Sequence, residues 1–197
     1  MIKDRIMFFE MIKIMKSIVH DSATFPKNVF RSDYGRYNYF EFDVTLSSVF
    51  WGFISKAAAQ QDYVNIVSIS PDSVEYFYKE FGKYGGARVK VSANADEYYE
   101  ELYAHPPSSP LDCLFHSEIL VWFPDSASWL VWGERSYGIA VMGLRKGSDL
   151  SVDKIALDIA MPIFSLDEAL SDLVSVNFRD PAAFKSFSMD FKASYSI

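Results

Sequence analysis

The stretch SWLVWGERSYGIAVMGL, Ser128 to Leu144, constrains the fold more than any other part of the chain. At the two-residue period of a β-strand, Trp129 and Val131 share one face and Leu130 and Trp132 the other. The return segment sets Tyr137, Ile139 and Val141 against Gly138, Ala140 and Met142. Both faces are apolar, so this pair belongs at the centre of a sheet. EILVWF precedes it, and the short turns PDSA and GERS make the three segments an antiparallel meander in the C-terminal half. Gly133 is expected to allow the second turn, with Glu134 and Arg135 at its charged tip.

Periodicity sets the surrounding elements. Phe8, Ile12, Met15 and Val19 recur at helical spacing opposite Lys3, Glu10 and Lys13, predicting an amphipathic opening helix. Phe40, Phe42 and Val44 alternate with Glu41 and Asp43 as a half-buried strand. Leu46, Val49, Phe50, Phe53, Ile54, Ala57 and Ala58 then return to the helical period. YVNIVSIS reads as an interior strand, followed by a helix with Ser70 as its cap, Pro71 in its first turn and Gly82 at its stop. ARVKVS is a short strand. Asn94 and Glu97 open the helix ADEYYEELYA in capping-box register, as Ser165 and Glu168 do for SLDEALSDLV. Phe187, Met189 and Phe191 alternate as a last strand, and HPPSSP reads as a loop within one domain. With helices mostly early and paired strands late, the expectation is a single α+β domain over residues 1–197, with a largely antiparallel or mixed sheet and several packing helices.

The net charge of −7 opposes direct nucleic-acid binding, which needs clustered cations. It suits a basic protein partner, and also ordinary solubility. Glu10, Lys13 and Lys16 interrupt the apolar N-terminal run, and no other run reaches membrane-span length, so a cytoplasmic protein without membrane association is expected. A single cysteine, Cys113, excludes an internal disulfide framework and fits a reducing compartment.

Catalytic constellations are sparse. LDCLFHSE gathers Asp112, Cys113, His116 and Glu118, and a thiolate beside an imidazole suits nucleophilic chemistry. Read as a strand, however, positions 113 and 116 face opposite sides, which favours a buried structural cysteine. A hydrolytic or small-ligand site near Cys113 and His116 remains the alternative. His20, His105 and His116 are widely spaced and no paired cysteines occur, so neither metal nor cofactor is expected. GKYGG follows a helix instead of opening one and reads as a helix exit, not a phosphate cradle. Asp96, Glu97, Glu100 and Glu101 lie beside Tyr98, Tyr99 and Tyr103, as a solvated helix face or as a binding surface that Tyr34, Tyr37 and Tyr39 would extend.

The tryptophan strand, the Gly-Glu-Arg turn and the IAVM return strand, preceded by SPLDCL and SEILVWFPDSASW, resemble bacterial immunity proteins of polymorphic and contact-dependent toxin systems over residues 63–144. The resemblance implies a cytoplasmic, non-catalytic, acidic inhibitor that binds one toxin domain directly. From carboxylate and tyrosine content and expected exposure at the hairpin end, the candidate partner-binding residues are Glu97, Tyr99, Glu100, Glu101, Trp132, Glu134, Arg135 and Tyr137.

Overall fold

A computed structural model describes residues 1–20, 23–109 and 111–196. Asp21 and Ser22 of HDSATFPKN, Pro110 of HPPSSP, and Ile197 lie outside them. The chain begins with α1 (Arg5–Ile18), β1 (Tyr34–Glu41), a 3-10 turn (Asp43–Leu46), α2 (Ser48–Ala57) and β2 (Tyr63–Ser70). A π-helical stretch (Ser73–Tyr78) continues as α3 (Lys79–Phe81), followed by β3 (Gly86–Lys90) and α4 (Ala95–Tyr103). A 3-10 turn (Leu114–His116) leads into β4 (Ile119–Pro124), β5 (Trp129–Glu134), a 3-10 turn (Arg135–Tyr137) and β6 (Ile139–Arg145). Then come α5 (Val152–Asp158), α6 (Leu166–Glu168) with a π-helical continuation (Ala169–Val174), a 3-10 turn (Ser175–Asn177) and α7 (Pro181–Tyr195).

The six strands form one sheet in the order β1-β6-β5-β4-β2-β3, with every neighbouring pair antiparallel. The α+β class and the β4-β5-β6 meander are as expected. Alternation sorts the side chains between two cores. Leu120, Trp122, Trp129, Val131, Ala140 and Met142 pack with α2, α4 and α5, whereas Val121, Phe123, Leu130, Trp132, Ile139 and Val141 pack with α1 and the helices after residue 165. Each buried Val, Leu, Ile, Phe or Met among these contributes roughly 1.5–3 kcal/mol by leaving water. A net hydrogen bond gives about 1 kcal/mol, so two-sided burial of the meander dominates the fold.

Local chemistry explains where the elements begin. Asn94 and Glu97 form a complete capping box on α4, and Ser165 and Glu168 form another on α6. Gly82 ends α3 in the left-handed conformation at φ 65°. Among the described residues, no helix is long and apolar enough to cross a membrane.

Several expectations are corrected. The last apolar segment is a helix and not a strand. Asp180 caps α7 by accepting from the Ala182 amide at 2.9 Å, Pro181 occupies its first turn, and Phe187, Phe191 and Tyr195 bury one face at four-residue spacing while Met189 is exposed. Phe-x-Met-x-Phe matches both periods over five residues, and only the long helix buries all three rings. Helices therefore occupy both ends of the chain and not mainly the first part. The first strand runs over Tyr34–Glu41, because Phe42 takes a helical conformation and Val44 falls in the following turn. The helix after β2 is capped by Asp72, whose Oδ1 accepts from Val74 N at 2.7 Å and Glu75 N at 2.6 Å. Ser70 instead stays in β2 opposite Ile119. Gly133 is not the turn residue. It lies inside β5, where a Cβ would stand 2.9 Å from the Phe42 ring, and Gly138 makes the turn at φ 66°.

Candidate partner-binding surface

The end of β5 holds a buried carboxylate. Glu134 is 3% exposed and accepts, on Oε1, the Phe25 amide at 2.8 Å and the Trp132 indole N–H at 2.8 Å. Burial raises its pKa to about 7, the two donors pull it down, and the charge of Glu118 adds to the rise. Trp132 is 2% exposed and sits in the core. The expected placement of Glu134 and Trp132 at an exposed hairpin tip is therefore corrected. The 3-10 turn Arg135–Tyr137 displaces the tip by three residues, leaving Glu134 paired with Ile119 and Ile139 inside the sheet.

Arg135 acts as an internal latch. Its guanidinium donates to the carbonyls of Phe115 at 2.5 Å and Ser117 at 3.3 Å, pairs with Asp43 at 3.2 Å, and lies over the Phe42 ring at 4.7 Å. The fork geometry of arginine holds two turns together in a way that lysine does not reproduce. We expect Arg135→Met to destabilise folding by about 2 kcal/mol, because two partly buried carbonyls lose a charged donor. Urea unfolding measures it, and a loss below about 0.5 kcal/mol would mean that the latch bears no strain. Tyr137 is half-buried between Phe178 and Phe187.

The carboxylates of α4 separate into different roles. Glu97 closes the capping box through the Asn94 amide at 2.8 Å, and Glu101 pairs with the amino group of Met1 at 3.4 Å. Glu100 is exposed. Tyr98 is fully buried and donates to the Thr45 carbonyl at 2.8 Å, with burial raising its pKa. The Tyr99 hydroxyl accepts from Ser48 N at 3.0 Å, and the half-exposed Tyr103 stacks on Phe115 with ring centres 4.3 Å apart. The expected extension through Tyr34, Tyr37 and Tyr39 fails. Tyr34 and Tyr39 are buried and Tyr37 packs on Phe30 and Tyr195, all in the core on the α1 and α7 side of the sheet, away from α4.

One rim of the sheet gathers what is left. Glu41 at the end of β1 and Glu134 at the end of β5 both register with Ile139 at the start of β6, and Ile119 at the start of β4 opposes Glu134. Around that rim stand the turns at Asp43–Leu46, Leu114–His116 and Ser175–Asn177, the first of them joined to α4 by the Tyr98 bond to Thr45. A shallow cleft of about 240 Å³ opens between Glu41, Asp43, Arg135, Asp172, Val176 and Asn177. Glu41, Asp43 and Asp172 are exposed, as is Val176, whereas Arg135 spends its charge on Asp43 and two carbonyls. The result is an acidic rim with aromatic shoulders, suited to Lys and Arg side chains of a partner. Sequence reasoning missed Glu41, Asp43, Asp172 and Val176, because pairing of β1 with β6 brings together residues more than 90 positions apart. Only the exposed acids ending a strand were a local signal.

The Cys113 region does not form a nucleophile pair. Cys113 is buried, burial raises its thiol pKa, and His116 is exposed. Their contact is main-chain, with the His116 amide donating to the Cys113 carbonyl at 3.2 Å. The strand geometry expected there is a 3-10 turn instead. Beside it, the Ser109 and Tyr76 hydroxyls hold Asp112 below the usual carboxylate range. Among the described residues, no group of three or more His, Cys, Asp or Glu side chains is placed to hold a metal ion. Comparison with protein families, with curated proteins and with solved structures finds no match to the chain.

Proposed function

We propose that this protein is a non-catalytic binding protein of the immunity type, which neutralises a toxin domain in the cytoplasm by direct contact. The observation that carries the reading is the acidic cleft at Glu41, Asp43 and Asp172, where the lining Arg135 spends its charge on Asp43 and two carbonyls. Such a surface attracts a basic partner over distances near the Debye length and speeds its docking, while the aromatic shoulders supply desolvated contact area. The buried thiol and the residue resemblance to immunity proteins support the same reading.

Capture of a basic toxin domain at equal stoichiometry from the source cell's lysate tests the class. The surface is tested by Glu41→Gln and Asp172→Asn combined, which spare the Glu97 cap and the Asp43–Arg135 pair. Association should slow about tenfold at low salt and less than about threefold near 0.5 M salt. Equal salt dependence in both proteins would reject the rim as the contact face.

A further inference from the structure

The opposite character appears on α1. Its buried stripe, Phe8, Met11, Met15 and Ile18, faces the core. A neighbouring stripe, Met7, Ile14 and Ser17, together with Met11 and the charged Glu10 and Lys13, lines a groove of about 490 Å³ whose far wall is Arg88 of β3 and Asp125 after β4. That wall is fixed, since Arg88 binds Asp125 at 2.5 Å and lies over Tyr63 at 4.4 Å, and the Asn65 amide donates to Asp125 at 2.7 Å. Beside the groove, Ile6 is 74% exposed, and Phe9, whose ring meets Tyr84 edge-on at 5.8 Å, is 43% exposed. Lys3, Arg5, Lys13 and Lys16 are all exposed here, against Asp4, which caps the helix, and Glu10. In a chain of net charge −7, the exposed side of α1 thus carries an excess of cations beside a groove whose own charges balance, set apart from the acidic rim.

We propose that the α1 groove is a second docking site, which takes an acidic amphipathic helix of a protein partner. Met7, half-buried at the groove, adapts to apolar anchors of varied shape, with the 2% exposed Met11 forming the floor beneath it, and α1 at about 1.5 Å per residue gives roughly 20 Å of contact line. Anchors spaced by three and four residues on the incoming helix drop into the groove and onto Ile6 and Phe9, while its carboxylates meet Arg5, Lys13 and Lys16. The concavity selects a helix over a flat anionic bilayer, which would leave the groove unfilled and press against Glu10 and Asp125. A second copy of this acidic chain carries like net charge to the encounter.

The test uses the full chain with ¹³C-methyl methionine and three synthetic amphipathic helices of about five turns, identical but for polar faces of Glu, Gln or Lys. The Glu peptide is expected to bind and to shift the Met7 and Met11 methyl signals while Met161 and Met189 stay in place. Ile6→Glu with Lys13→Glu, both at exposed positions that leave the core intact, should weaken that binding at least tenfold. The combined rim variant should leave it unchanged, which separates this site from the rim. No binding of the Glu peptide at about 1 mM, equal binding of the Lys peptide, uptake by phosphatidylserine vesicles in preference to the peptide, or a dimer dissolved by the same double substitution would each overturn the proposal.

Discussion

Folding stability should fall by about 3 kcal/mol between about pH 4.5 and pH 7 through Glu134 alone, and Glu134→Gln should abolish that part of the pH dependence. Burial lifts the carboxyl from 4.5 to about 7 in the folded protein. A raised acid binds its proton in the folded state while the unfolded chain has already released it. The stabilisation is therefore fully present below about 4.5 and is lost as pH rises through about 7. Glutamine keeps an acceptor for the Phe25 amide and the Trp132 indole without the charge, so the variant should be the more stable protein at pH 8. Asp112 and Glu168, both held below the usual range, act in the opposite sense and only at lower pH. Urea unfolding of both proteins from pH 5 to 8 decides the matter, and parallel curves would show that Glu134 ionises freely.

Trp122→Ala should cost about 4 kcal/mol, the largest loss expected from any substitution considered for this chain. Trp122 is completely buried, meets Phe50 of α2 edge-on at 5.5 Å, and donates from its indole N–H to the Tyr98 hydroxyl at 3.1 Å. Tyr98 in turn donates to Thr45. One ring thus ties β4 to both α2 and α4, and α4 carries a shoulder of the acidic rim. Trp122→Phe retains most of the volume and loses only the indole bond, so a loss of about 1–2 kcal/mol is expected. Similar losses for the two variants would show that the hydrogen-bond chain, not the ring volume, holds α4.

Strand existence and face assignment in the meander were readable because the two-residue period admits only one sorting of Trp129, Leu130, Val131 and Trp132, and the structure places them accordingly. The Asn94 and Ser165 caps were readable for a similar reason, being satisfied within four residues. Where the signal was short and shared by two periods, as at Phe187 to Phe191, tertiary burial chose the helix. Turn placement also escaped, since Gly133 and Gly138 are equally permissive in isolation and only the Phe42 ring against Gly133 distinguishes them.

Candidate site residues divide along the same line. Tyrosine and carboxylate content pointed to a binding surface, and Glu100 and Tyr103 do stand exposed on α4. Burial of Trp132 and Glu134, by contrast, depends on Phe25 and the helices after residue 165, which arrive from both ends of the chain. Local periodicity and capping, whose energies are settled within one or two turns, determined the class of this protein and its meander. Sheet order, the fate of each charged side chain and the two faces of opposite character were decided by tertiary structure, because desolvation and pairing energies belong to neighbours that only the folded chain assembles.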